Sequence, residues 1–188
     1  MMPQLVTFNC TDTDIFTEFQ RLKFAVFYEE NGWTGLLVDP DQQIVLQDCF
    51  DEGSSFLGLT WEGKLVGGLR YSRLDSAFPH AELFPPSYGD ALTVTATITG
   101  VALLPDYRRR RLESTTSTWG DWMLRTCVER CAELEVEEII ATAGLNGAER
   151  IFVRHGFERF GKPYQPAWSP MHLTNLHRMM KPALSKNG

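Results

Sequence analysis

Residues 93–104 (TVTATITGVALL) are β-branched and small apolar almost throughout, without proline, and Pro105-Asp106 stops them. Such a run lacks the stripe of an amphipathic helix and suits a pleated backbone packed on both faces. It reads as a central strand, which needs a partner along each edge. Residues 56–61 and 65–71, joined by Glu62-Gly63-Lys64, read as a hairpin that supplies one partner. Gly67-Gly68 in the return strand predicts a bulge or a close backbone approach. Residues 138–143 supply a second strand, and residues 157–160 and 171–179 read as closing strands.

Helices alternate with these strands. Over residues 13–31, Ile15, Phe19, Leu22 and Val26 recur at helical spacing, Thr11, Asp12 and Thr13 offer N-caps, and Asn31-Gly32 ends the pattern. Residues 111–134 read as a long helix with Trp119, Trp122, Met123, Thr126, Val128 and Cys131 inward. A third helix is expected from Asn146 to Arg154, ended by His155-Gly156. Residues 35–51 read as a loop with a short strand at 44–46, and residues 81–84 as a short helical piece. The expectation is a single domain over residues 1–188, of α/β (α+β) class, with a mixed sheet and helices packed on it.

The chain has 188 residues, enough for one domain with a core. Its formal net charge of -6 argues against nucleic acid or an anionic membrane as a bulk partner. Cys127 and Cys131 are spaced for one helix face and read as small apolar residues. Cys10 and Cys49 stand apart from them, and His80, His155, His172 and His177 are scattered, so no metal site is expected. Residues 1–10 lack a basic and then apolar leader, and no run is long and apolar enough to span a bilayer, so the expected compartment is the cytoplasm.

The order of strand, Pro-Asp-Tyr, arginine run and helix carries the chemistry. A strand feeding a helix through a tight loop leaves backbone N–H groups that favour an anion. Arg108, Arg109, Arg110 and Arg111 add donors suited to phosphate; a solvated basic turn is the plainer alternative.

Residues 101–112 (VALLPDYRRRRL) resemble the donor-binding motif of the GNAT acyltransferase superfamily. Residues 146–157 (NGAERIFVRHGF) resemble its second motif, and residues 61–68 (WEGKLVGG) its hairpin. That resemblance implies a mixed, mostly antiparallel twisted sheet with helices on both faces. In the N-terminal half, residues 23–27 (KFAVF), 29–33 (EENGW), 48–51 (DCFD), 68–70 (GLR) and 82–84 (ELF) resemble the acyl-homoserine-lactone synthases, a GNAT branch whose architecture N-acyl-amino-acid synthases share. Four features depart from the pattern. Lys23 stands where the branch carries Arg, and the stretch from Trp33 to Asp48 is longer than the branch's. Arg111 and Glu113 stand where the superfamily carries glycines, and the central strand lacks the branch's Glu-x-Ser-Arg step.

The resemblance implies aminolysis of a thioester by a small amino-acid-like amine, S-adenosylmethionine in that branch. It implies no permanently bound cofactor. An acyl carrier protein or coenzyme A thioester is the co-substrate, and the carrier protein a transient partner; the chain itself is a monomer or homodimer. Lys23, Phe27, Trp33, Asp51, Arg70 and Phe84 would bind the acceptor, with Arg70 holding its carboxylate or fixing the acidic loop. Val101, Ala102, Leu103, the four arginines and Asn146 would bind the donor, the first three at a bulge that provides an oxyanion hole. Asp48, Glu29 and Glu30 are the candidate bases, and Tyr164 or Tyr107 the acid for the leaving thiolate. Trp119, Trp122, Met123 and Phe152 are candidate acyl-pocket walls. An ordinary acetyl-coenzyme A N-acetyltransferase and a non-catalytic module of the same fold remain alternatives.

Overall fold

The computed structural model describes residues 2–74, 95–113 and 115–180. In chain order these form β1 (Gln4–Phe8), α1 (Thr13–Lys23), the small pair β2 (Val38–Asp39) and β3 (Ile44–Val45), β4 (Ser55–Trp61), β5 (Lys64–Arg73), β6 (Thr95–Leu103), α2 (Trp119–Ala132), β7 (Glu138–Gly144), α3 (Glu149–Arg154), β8 (Glu158–Tyr164) and β9 (Leu173–Met179). The helical piece expected at residues 81–84 lies outside the described residues.

One seven-stranded sheet runs β1-β4-β5-β6-β7-β9-β8. Every pairing in it is antiparallel except β6 with β7. The β4–β5 hairpin turns through Glu62 (φ 51°) and Gly63 (φ 76°), both left-handed as a two-residue turn matched to the sheet's twist requires. Strand alternation then divides the side chains between two cores. On one face Phe56 meets Phe8, Phe16 and Phe19, with ring centroids 5.3 Å away in each case; Leu22 and Leu65 complete that cluster beneath α1. On the other face Leu57, Leu59, Leu69, Ile98 and Ile139 pack against Met123, Leu124, Cys127 and Cys131 of α2. Burying each of these large side chains contributes about 1.5–3 kcal/mol. Burial pushes the Cys127 thiol pKa up, with Cys131 adding to the effect, as fits apolar packing.

Four local features differ from the sequence expectation. β1 was not anticipated: it is an edge strand with only Phe8 buried, so its alternation is faint. The first helix is α-helical only to Lys23 and continues as a π-helix over Phe24–Glu30. A wider turn changes which residues share a face, and a 3.6-residue period does not reveal it. Asn31 ends it, its side-chain amide donating to the Val26 carbonyl at 2.5 Å, with Gly32 left-handed at φ 66°. The long helix expected from residue 111 begins instead at Trp119. Thr118 caps it in a reciprocal box with Asp121, and an Arg111–Thr118 bridge lies just ahead of the helix. The helix expected from Asn146 starts at Glu149; the Asn146 side chain accepts from the Ala148 N–H at 3.3 Å in the preceding turn.

Candidate active site

β6 and β7 pair only where Thr95–Ile98 faces Glu138–Ala141. Beyond that point β7 continues along β9 to Gly144, while β6 bulges. Arg70 faces Thr99 and Gly68 faces Ala102, so Gly100 and Val101 share the space opposite Leu69. Gly100 takes φ 61°, a conformation open to glycine at a bulge. The bulge therefore sits at Gly100–Val101, one residue earlier than expected. The parted strands open a cavity of about 510 Å³, bounded by Thr99, Gly100, Val101 and Leu103 on one side and Thr142, Ala143 and Gly144 on the other. Ala102 alternates away into the α1-side cluster.

One end of the cavity is charged. Asp51, with no exposure, accepts from the Arg70 guanidinium at 2.6 Å and from the Asp48 N–H at 2.9 Å. Asp48 accepts from the same Arg70 nitrogen at 2.7 Å and from the Phe50 N–H at 2.9 Å. Arg70 Nε donates to Thr99 Oγ1 at 3.0 Å, tying the acidic loop to the bulged strand. Of the two roles expected for Arg70, the geometry favours fixing the loop. Lys23, the last residue of α1, reaches the same end and is buried. Burial lowers its pKa to about 8, opposed by the charges of Asp51 and Asp48 and reinforced by that of Arg70. Phe27 stacks on Trp33 with centroids 4.9 Å apart, and Trp33 lies 5.2 Å from Trp168, making an aromatic wall.

The other parts of the cavity are apolar or belong to helix starts. Met123, Ile151 and Phe152 line it, as do Thr118 and Gly120 at the head of α2. A Cβ at Gly120 would stand 3.0 Å from Ile151 Cδ1, so glycine there allows α3 to close on α2. Asp121 accepts from the Thr118 hydroxyl at 2.7 Å, from Arg154 at 2.9 Å and faces His155 at 3.3 Å. Burial alone would raise the Asp121 pKa, but the Thr118 and Arg154 hydrogen bonds bring it down to about 2.

Several expected site residues lie elsewhere. Arg108 lines the cavity, but its guanidinium is bidentate on Glu30 at 2.5 and 2.6 Å. Arg110 stacks over Tyr107, Trp119 and Trp61 at 4.6–5.7 Å from the ring centroids. Arg109 and Arg111 are exposed and do not line the cavity. The arginine run thus precedes the cavity-facing helix start and does not form it, because the helix begins only at the Thr118 cap. Asn146 does line the cavity. Glu29 is exposed and outside it; Tyr164, also outside, donates to Asn175 Oδ1 at 2.8 Å. Tyr107, Trp119 and Trp122 pack into the α2-side core. Phe84 lies outside the described residues. The sequence reading missed Thr118, Gly120, Arg154 and Trp168; the Thr118-x-x-Asp121 capping pattern was the available signal for the first two. Among the described residues no group of His, Cys, Asp and Glu side chains is arranged to hold a metal, and no helix is long and apolar enough to cross a membrane.

No family model matches the sequence, and no curated protein does. Solved structures do resemble it. A coenzyme A-dependent acyl-homoserine lactone synthase, BjaI, solved with S-adenosylmethionine and isopentyl-coenzyme A, superimposes with a TM-score of 0.72 at 15% identity, over 95% of this chain and 84% of that one. The acyl-homoserine lactone synthase LasI gives 0.64 at 16% identity, over 94% and 88%. An N-acetyltransferase structure from Lactobacillus plantarum gives 0.62 at 15% identity, over 95% and 99%. The mixed sheet, its parted central strands and these superpositions agree: the chain has the GNAT fold that acyl-homoserine lactone synthases share with N-acetyltransferases.

Proposed function

We propose that this chain is a single-domain cytoplasmic N-acyltransferase. It moves an acyl group from a pantetheine thioester to the amine of a small amino-acid-like acceptor. The observation that carries this reading is the cavity where β6 and β7 part. It meets a bulged strand in its middle, a charged cluster of Lys23, Asp48 and Arg70 at one end, and Met123, Ile151 and Phe152 along an apolar wall. On the cavity side of Thr99–Leu103 no strand among the described residues pairs with β6, so an extended pantetheine arm can lie there in place of a strand. The thioester carbonyl then falls at the Gly100–Val101 bulge, where backbone donors suit a developing oxyanion.

The acceptor enters from the charged end. The Asp48 carboxylate, partly exposed and held by Arg70, attracts its ammonium, and Phe27 and Trp33 wall it in. The apolar wall exceeds what an acetyl group would fill, which favours longer acyl chains. The donor is carried by an acyl carrier protein or by coenzyme A, and S-adenosylmethionine, giving a homoserine lactone, is one acceptor of the right chemistry.

The test presents the purified protein with carrier-protein and coenzyme A thioesters from acetyl to long chain. S-adenosylmethionine and free amino acids serve as acceptors, thiol release is followed, and products are identified by mass spectrometry. Release that depends on both a medium or long acyl donor and an amine supports the reading. Turnover confined to acetyl-coenzyme A makes the chain an ordinary acetyltransferase, and silence from the folded protein overturns acyl transfer.

A further inference from the structure

A lysine buried without a partner is costly, because its ammonium loses water and gains no counter-charge at contact. Lys23 is 7% exposed. Among the described residues its Nζ makes no hydrogen bond and no ion pair, and the feature it does meet is the Phe19 ring, 5.5 Å to the centroid. The charged groups around it come from two elements. Asp48 and Asp51 project from the loop before β4 and Arg70 from β5, and both carboxylates accept from the Arg70 guanidinium. The lysine stem passes the bulge of β6: a Cβ on Gly100 would stand 3.9 Å from Lys23 Cδ, and both residues line the cavity.

We propose that Lys23 is the general base of the acyl transfer, its neutral amine taking a proton from the acceptor ammonium beside the β6 bulge. The inference rests on the acyl-transfer reading above. None of the other candidate bases is as well placed. Glu29 is outside the cavity, Glu30 is paired with Arg108, and Asp48, whose Oδ1 accepts from Arg70 and the Phe50 N–H, serves to attract the acceptor's ammonium. A lysine that titrates at about 8 is close to an ordinary α-amino group at about 7.7–8, so the proton passes between them at little cost.

In the reaction the Lys23 lone pair removes one proton from the acceptor ammonium. The freed amine forms a C–N bond to the thioester carbonyl carbon, and the C–S bond breaks. The second nitrogen proton goes to the departing sulfur, leaving amide and thiol. Lys23 releases its proton to water before the next turnover.

The test uses the donor and acceptor pair on which the wild-type protein turns over. Lys23→Arg keeps a cation but cannot give up its proton; Lys23→Ala removes the group and leaves space. Expected for Lys23→Arg is a fall in kcat of about 100-fold or more, with the acceptor KM within a few-fold of wild type. The acceptor's own amine still titrates at about 7.7–8 in the variant, so the loss is read in kcat at saturating acceptor and at one pH. Added primary amines restore Lys23→Ala, the more so the more basic the amine. Melting curves and thioester binding confirm that both variants are folded. A Lys23→Arg enzyme matching wild type in kcat, or a Lys23→Ala enzyme that loses only acceptor affinity and ignores added amines, makes Lys23 an anchor for a carboxylate and overturns the base. A wild-type protein that turns over nothing overturns acyl transfer, and the base with it.

Discussion

Lys23 makes a thermodynamic prediction that needs no substrate. Its pKa falls from 10.5 to about 8 on folding because burial removes water from the ammonium. Between those values the unfolded chain binds the proton and the folded chain does not, so stability rises with pH through this window. This is opposite to a lysine that gains a partner, whose contribution would be lost as pH rises. At about 1.4 kcal/mol per tenfold shift, the charged side chain costs the fold about 3 kcal/mol at pH 7. About 2.5 kcal/mol of that cost is removed by pH 10. Lys23→Met keeps the stem and abolishes the titration. Urea unfolding of both proteins from pH 7 to pH 10 isolates the effect, because every other group titrates in both. The variant is expected to gain on wild type most at pH 7, with the gap closing by about 2.5 kcal/mol toward pH 10. A gap that stays constant to within about 0.5 kcal/mol would show that the Nζ remains hydrated, and it would remove the physical basis for a neutral lysine at the site.

Three further outcomes follow from the geometry. Asp51→Ala leaves the buried Arg70 guanidinium short of its fully buried partner and should cost about 3–5 kcal/mol in chemical unfolding, whereas Asp48→Ala, whose carboxylate is 42% exposed, should cost about 1 kcal/mol or less; equal costs would contradict the assignment of the loop lock to Asp51. Gly68→Ala would bring a Cβ to 2.9 Å from two carbons of the fully buried Phe19 ring, so the melting temperature should fall by an amount matching about 1–3 kcal/mol, and an unchanged melting point would mean α1 packs more loosely than described. Asp121 titrates at about 2 when folded, below its ordinary 3.8, so its contribution is complete above about pH 4 and lost as pH falls toward 2; acid unfolding of Asp121→Asn should therefore show a shallower loss over that range than wild type, and identical acid profiles would refute the Thr118–Arg154 network as its cause.

Much of the frame was legible because it depends on local pattern. The β4–β5 hairpin declared itself through alternation around Glu62-Gly63, and the Pro105 stop and the His155-Gly156 helix end mark backbone geometry that few residues permit. The edge strand β1 was not legible, since its exposed side chains carry little alternation. The π-helical turns after Lys23 were not legible either, since residue periodicity within one segment barely distinguishes a widened turn. For α2, the arginine run was read as the helix start because charge drew attention from the Thr118–Asp121 box that sets it.

The candidate site divides in the same way. The resemblance to the acyl-homoserine-lactone synthases named Lys23, Asp48, Asp51, Arg70, Phe27 and Trp33 as a group, and the structure gathers them around one cavity or its supporting loop. Sequence by itself determined the strand and helix alphabet and a sheet with helices packed on it, because hydrophobic period and turn chemistry are written residue by residue, while the charged group came from the family resemblance. Only tertiary structure decided that β6 and β7 part after Ile98, that Arg70 is spent on the acidic loop, and that Lys23 is buried with no ion pair among the described residues. Those facts depend on which distant segments meet and on how much water each group loses there, and no local pattern encodes either.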